Sequence, residues 1–200
     1  MTPTETLPPQ IRAALDAHTT LTLAYADQDG PQACAVLYAV AGREQDEGSQ
    51  PAVSGQPDAG RRPDAGSTTP EPETGPRPEP VLVPLPVLVL VFVTSPGTRH
   101  GRALLSGDAR VAFTAQRDGQ QWTALTGIQG RGACRLLDGA ERAAAWRAYS
   151  ARFPYVEESE RLRQAMERAE LWELRPTWLR LVDNGRGFGH KTEWPRPLSA

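Results

Sequence analysis

Residues 87–105, VLVLVFVTSPGTRHGRALL, decide most of what the sequence predicts about the fold. The run from Val87 to Ser95 is apolar and rich in β-branched residues, a pattern typical of a strand buried on both faces. Pro96–Gly97 predicts a turn, and Thr98 is a preferred N-cap residue for a short helix that extends to Ser106. This stretch therefore predicts a core strand that leads through a tight turn into a helix.

The same turn carries the residues with the clearest chemical meaning. Arg99 and His100 fall in the first helical turn, where the helix dipole favours negative rather than positive charge. Together with free backbone amides and the hydroxyls of Thr94, Ser95 and Thr98, they form an arrangement that is unfavourable alone but suits a phosphate. The alternative is that Arg99 reaches away from the turn, to solvent or to a carboxylate.

The segments around this stretch predict more strands. LTLAYAD (Leu21–Asp27) and QACAVLYAV (Gln32–Val40) flank QDGP, in which Asp29–Gly30 supplies the positive-φ turn of a hairpin. Further strands are predicted at Ala109–Gln116, Trp122–Leu137, Leu171–Arg175 and Trp178–Asp183, and further helices at Ile11–His18, Asp138–Arg152 and Leu162–Ala169. Six or seven largely antiparallel strands with helices between them predict a small closed barrel.

Residues 43–80 differ in composition from the rest of the chain. These 38 residues hold eight Pro and five Gly but no Leu, Ile, Met, Phe, Trp or Tyr. Such a segment buries too little apolar surface to offset the entropy lost on ordering. We therefore expect a disordered loop inserted between two barrel strands rather than a boundary between domains.

Two glycine-rich segments near the C-terminus supply further candidate residues. In TGIQGRG (Thr126–Gly132), the Gln129 amide can donate to and accept from a planar heterocycle, or it can simply face solvent. The tail NGRGFGHKTEW (residues 184–194) lacks the βαβ unit that a dinucleotide fingerprint requires. We expect turn glycines there, with Phe188 and Trp194 as packing or stacking groups and Lys191 either meeting an anion or exposed.

Composition excludes several classes of protein. The net charge of −2 gives no basic excess for nucleic acid or an anionic membrane. The three histidines do not stand at metal-ligand spacing, and no GxSxG elbow is present. Cys34 and Cys134 are expected to be free thiols. The N-terminal MTPTETLPPQ has neither a basic nor an apolar leader region, so we expect a cytoplasmic protein.

Five blocks in a fixed order carry a family resemblance. FVTSPGTRHGRALL, ARVAFTA, LTGIQGRGACRLL, AYSARFP and LVDNGRGFGHKTEW resemble a small subfamily of the pyridoxamine 5'-phosphate oxidase-like, FMN-binding split-barrel superfamily. The resemblance covers nearly all of the chain except the N-terminus and residues 43–80. It implies a mainly β fold, a six-stranded antiparallel split β-barrel, in a single domain over residues 1–200.

The resemblance also implies a homodimer with two FMN sites, each built from both chains. It assigns the hydroxyl and basic residues of one turn to the FMN phosphate: Thr94, Ser95, Thr98, Arg99 and His100. It places Gln129 of the partner chain against the flavin ring, and it assigns Lys191 and Trp194 to the C-terminal segment that closes the site. His100 stands where the family has a more basic residue.

The activity implied is that of an FMN-dependent oxidoreductase acting on a small-molecule substrate that the sequence does not identify. The Arg/Lys-rich strand and the substrate-phosphate motif of the true oxidases are not evident, so oxidation of pyridoxamine phosphate is not expected. No catalytic residue and no metal is assigned. Two alternatives stay open: a non-enzymatic flavin carrier or sensor, and a split barrel that binds haem or a deazaflavin.

Overall fold

A computed structural model describes residues 6–42, 88–106 and 109–195, which all belong to one structural unit. The predicted insertion at 43–80 lies outside the described residues. The strands are β1 (Thr20–Asp27), β2 (Gly30–Gly42), β3 (Leu88–Thr94), β4 (Arg110–Gln116), β5 (Thr126–Leu136), β6 (Glu170–Asp183) and β7 (Lys191–Trp194). The helices are α1 (Pro9–Ala17), α2 (Arg99–Ser106), α3 (Gly139–Arg152), α4 (Tyr155–Glu158) and α5 (Glu160–Glu167).

Six of the strands close into a ring. The sheet order is β3-β2-β1-β4-β5-β6-β7, all pairs are antiparallel, and β3 also pairs with β6. The long β6 makes this possible, because residues 170–174 pair with β3 while residues 179–182 pair with β7. This topology confirms the predicted six-stranded antiparallel barrel, with β7 as a flanking strand.

The prediction of two final strands separated at Pro176 is wrong. The structure has one continuous strand, β6, and accommodates the proline at a register shift. Gly132 pairs with Pro176 while the preceding Arg131 pairs with Trp178, so Thr177 is the extra residue of a bulge. A proline that cannot donate to the ladder is tolerated at such a bulge. The predicted start of β5 at Trp122 is also wrong, because residues 122–124 form a 3-10 turn.

Two strand glycines allow the barrel wall to pack closely. A Cβ on Gly130 would lie 2.2 Å from Cζ of Phe113, whose ring fills the barrel interior. A Cβ on Gly132 would lie 2.2 Å from the backbone oxygen of Arg175, next to the bulge. Both contacts are shorter than real Cβ atoms show, so a side chain at either position would force the neighbouring atoms to shift.

Helix α3 covers the outside of the barrel. The rings of Tyr149 and Phe153 contact each other in a tilted arrangement with centroids 4.8 Å apart, and they pack in a second apolar cluster that includes Val91 and Leu171. The helix begins after Asp138, although the Asp138 side chain makes no capping hydrogen bond. Glu141, in the first turn of this helix, accepts a hydrogen bond from Arg135.

Both cysteines are free thiols, as predicted. Burial raises the pKa of Cys134 to about 12, which keeps this thiol protonated. Among the described residues, no helix is long and apolar enough to cross a membrane.

The end of α1 brings a histidine into the interior without a hydrogen-bonding partner. His18 is 4% exposed, and neither ring nitrogen has a partner among the described residues. Burial, followed by the nearby Arg117 charge, lowers the pKa of His18 below its ordinary value. The folded protein therefore holds this imidazole in its neutral form.

His18 should make the protein acid-sensitive. The unfolded chain binds this proton near pH 6.5, whereas the folded chain binds it only at lower pH. The contribution of the neutral His18 to the free energy of unfolding is therefore fully present above pH 6.5 and is lost as the pH falls. We expect His18→Leu to flatten the dependence of the urea midpoint on pH between 8 and 5.5. A remaining slope belongs in part to His100, whose pKa is also lowered by burial. Parallel profiles for the variant and the wild type would contradict this assignment.

The strand ends on either side of residues 43–87 lie next to each other. Gly42 of β2 pairs directly with Leu88 of β3, and antiparallel neighbours need only a short connection. We expect a chain in which Gln45–Glu79 is replaced by a short glycine linker to keep its melting temperature. The shorter loop contributes about 1 kcal/mol or less of extra stability. A large fall of the melting temperature in thermal scans would show that the insertion supports the fold.

Candidate functional site

The turn between β3 and α2 is held by its own hydroxyls. The Thr98 backbone amide and Thr98 Oγ1 both donate to the Ser95 carbonyl oxygen, at 3.1 and 2.8 Å. Thr98 Oγ1 accepts from the Gly101 amide at 3.0 Å, which confirms Thr98 as the N-cap residue. A Cβ on Gly101 would lie 2.3 Å from the Ser95 carbonyl oxygen, so the turn can close only over a glycine.

Thr94 and His100 form the inner part of this turn. Thr94 is 6% exposed, and its Oγ1 lies 3.2 Å from Thr98 Oγ1 and 2.5 Å from His100 Nε2. Burial lowers the pKa of His100, so its imidazole is neutral at neutral pH. His100 therefore positions the Thr94 hydroxyl and adds no positive charge to the turn.

Arg99 is held by two carboxylates of the β1–β2 hairpin. Its Nε donates to Asp27 Oδ2 at 2.7 Å, and its Nη2 donates to Asp29 Oδ2 at 2.5 Å and Asp27 Oδ1 at 3.3 Å. The hydrogen bond from Arg99 lowers the pKa of Asp27. In this structure Arg99 thus reaches a carboxylate, the alternative that the sequence left open.

The donor chemistry of the turn nevertheless suits a phosphate. The first amides of α2, those of Arg99 and His100, precede the first intrahelical hydrogen bond and have no partner within the helix. The Arg99 side chain is 48% exposed, and the Ser95 hydroxyl lies at the same edge, where it accepts from the Gly97 amide at 3.2 Å. A phosphate can use these donors if Arg99 exchanges one carboxylate for it.

Gln129 lies on the outer face of the barrel, in the middle of a row that crosses six strands. The row runs from β2 to β7 as Ala35, Thr22, Thr114, Gln129, Arg180 and Glu193. Gln129 is exposed and contributes to an open cleft of about 600 Å³ along β4 and β5. Strand β1 carries both Thr22 of this row and Asp27, which contacts Arg99 of the β3–α2 turn, but these two residues are five positions, or about 16 Å, apart along the strand. One chain therefore does not bring Gln129 to Arg99.

A cationic stack next to Gln129 is a feature that the sequence did not reveal. The guanidinium carbons of Arg131 and Arg180 lie 5.0 and 4.9 Å from the ring centroid of Trp178. Arg180 also donates to Glu193 at 2.6 Å. The sequence gives only a weak indication of this stack, because Arg131 and Trp178 are neighbours only through the β5–β6 register.

The C-terminal candidates are divided between surface and core. Lys191 is exposed at the start of β7, whereas Trp194 is 5% exposed and packs in the barrel core. This placement favours the packing role of Trp194, and its contact with a cofactor stays a prediction. Phe188 is 86% exposed and meets Trp122 edge to face, with ring centroids 5.9 Å apart.

Solved structures support the assignment of the fold. The conserved hypothetical protein Rv2991 from Mycobacterium tuberculosis has a TM-score of 0.56 at 16% identity, covering 94% of this chain and 92% of that one. A haem binding protein from Mycobacterium smegmatis has a TM-score of 0.55 at 16% identity, covering 94% of this chain and 59% of that one. The fold is that of the pyridoxamine 5'-phosphate oxidase-like split barrels.

Sequence relatives narrow the class to a family. A UPF0306 protein of Klebsiella pneumoniae is 35% identical over 104 residues, which are 52% of this chain and 64% of the relative. The UPF0306 protein YhbP of Salmonella schwarzengrund is 36% identical over 112 residues, which are 56% of this chain and 69% of the relative. The chain belongs to the UPF0306 (YhbP) family. No family model matches it.

Proposed function

We propose that this protein binds FMN between the two chains of a homodimer and acts in the cytoplasm as a flavin-dependent oxidoreductase. The observation that carries the proposal is the β3–α2 turn, where hydroxyls, free amides and Arg99 meet at a helix N-terminus. A bound flavin would supply hydride transfer, so the protein need only bind the phosphate, orient the ring and exclude water.

Each part of the turn has a defined task in this proposal. The Ser95 hydroxyl and the first amides of α2 donate to the phosphate, and Arg99 supplies the positive charge. Thr94 and Thr98 hold the turn, since their hydroxyls are already hydrogen-bonded within it. Lys191, exposed at the edge of the barrel, is the next candidate cation.

Dimerisation is supported by a distinct surface, the small-residue face of the barrel. It consists of exposed, uncharged residues on three neighbouring strands: Thr20, Thr22, Ala33, Ala35, Ala112 and Thr114. Charged residues are depleted in the cores of protein interfaces, and none of these six residues is charged. Since Gln129 lies beside this face and away from Arg99 of its own chain, a second chain packed there offers the means to combine them.

Two other functions are distinguishable from this one. A non-enzymatic flavin carrier would use the same site without turnover. A haem-binding protein is the second candidate, because a protein of similar fold from Mycobacterium smegmatis is described as a haem binding protein. Among the described residues, no cluster of three or more His, Cys, Asp or Glu side chains could hold a metal ion.

Titration of the purified protein with FMN, riboflavin and haem tests the proposal. We expect FMN to bind more tightly than riboflavin, with one flavin per chain and the absorbance bands of an oxidised flavin. Oxidation of NAD(P)H by the FMN-loaded protein with an artificial acceptor then separates an enzyme from a carrier. Stoichiometric haem binding with no preference for FMN over riboflavin would contradict the FMN proposal and favour a haem-binding protein.

A further inference from the structure

Arg99 already contacts carboxylates on the side where a phosphate would bind. The two acidic partners differ in exposure: the Asp27 side chain is 13% exposed, and the Asp29 side chain is 65% exposed. Asp27 takes Nε and shares Nη2, whereas Asp29 contacts Nη2 alone. Asp29 is therefore the partner that an incoming anion can displace, while Asp27 keeps the guanidinium in place.

Asp27, Arg99 and Asp29 together carry one net negative charge, because one guanidinium faces two carboxylates. The neutral His100 adds no positive charge, and the Arg102 guanidinium of the same turn donates to the Gly97 carbonyl oxygen rather than to either carboxylate. A phosphate that binds Arg99 must displace Asp29 from the guanidinium, and the negative charge of Asp27 also repels it. Ligands that carry the same ring without a phosphate do not meet this competition.

We infer that Asp29 competes with the flavin phosphate for Arg99, so that this carboxylate lowers the affinity for FMN and speeds its release. The inference rests on the proposed FMN site and adds the regulation of that site. The Asp27–Arg99–Asp29 cluster holds the cation ready when no flavin is bound, and it lowers the affinity when one arrives.

Replacement of Asp29 by asparagine tests the competition. Asn keeps the shape of the side chain, and the turn persists because the backbone amide at position 29 donates to Asp27 Oδ1 at 2.9 Å. Because Asp29 and Arg99 are both well exposed, we expect a moderate effect: about two- to tenfold tighter FMN binding by Asp29→Asn, most of it from slower release. Riboflavin affinity should not change. Asp29→Glu, which keeps the charge, is the matched control and should release FMN as fast as the wild type.

The outcomes separate this inference from the proposed function. Suppose that Asp29→Asn binds FMN no more tightly than the wild type while both proteins still prefer FMN to riboflavin. That result would overturn the inferred competition by Asp29 and would leave the proposed phosphate site supported. If neither protein prefers FMN to riboflavin, or neither binds FMN, the proposed phosphate site fails and the inference fails with it.

Discussion

Replacing Arg99 by alanine is expected to lower FMN affinity by about tenfold to a hundredfold and to leave riboflavin affinity unchanged. Burial keeps His100 neutral, and the Arg102 guanidinium of the same turn donates to the Gly97 carbonyl oxygen, so Arg99 is the cation that we expect to contact the phosphate. A charge-assisted contact to phosphate is stronger than a neutral hydrogen bond, and each factor of ten in affinity corresponds to about 1.4 kcal/mol. Fluorescence titration with both ligands measures the difference.

The matched control for this variant is Arg12→Ala. Arg12 is also an exposed arginine paired with an aspartate, Asp16, at 2.8 Å, but it lies on α1 away from the turn. We expect no change in FMN affinity. Equal losses of FMN and riboflavin in Arg99→Ala would instead mean that Arg99 acts through the fold, because the Asp27 and Asp29 carboxylates lose their partner.

Placing a charge on the small-residue face is expected to separate the dimer and abolish flavin binding together. Thr22 lies at the centre of this face, opposite Ala35 on one side and Thr114 on the other. A Thr22→Arg side chain points outward, so the barrel should fold, but its desolvation in an interface is costly. Sedimentation should give about 21.7 kDa for the variant and about twice that mass for the wild type.

Ala143→Arg controls for the added charge, since Ala143 is exposed on α3 outside this face. It should remain a dimer that binds FMN. A monomeric Thr22→Arg protein with undiminished FMN binding would show that one chain is sufficient for the site.

The local elements of the fold could be predicted because their signals are local. Asp29–Gly30 predicted the first hairpin, and Gly30 has a φ of 99°, the left-handed region that glycine favours. The apolar run before Thr94 predicted a strand buried on both faces, and β3 has no exposed residue. Thr98 predicted the start of α2 because an N-cap acts within three residues.

The features that could not be predicted depend on residues distant in the sequence. The Arg99 ion pairs join positions 70 and 72 residues apart. The QDGP turn therefore indicated a hairpin, but not that Asp27 and Asp29 bind Arg99. The strand through Pro176 depends on a bulge opposite Gly132, which only the β5–β6 register determines. The Arg131–Trp178 stack depends on the same register. In each case the pairing of strands, rather than local propensity, decides the outcome.

A mixed-dimer experiment tests most directly whether the FMN site is shared between two chains. Arg99→Ala and Gln129→Ala chains each lack one half of the proposed site, so neither homodimer should bind FMN tightly. After denaturation and refolding as an equal mixture, half of the dimers are mixed and each has one intact site, which restores about a quarter of the wild-type tight sites. FMN titration of the refolded mixture should find this recovered fraction. If the mixture binds no better than its two parents, the site is not built from both chains.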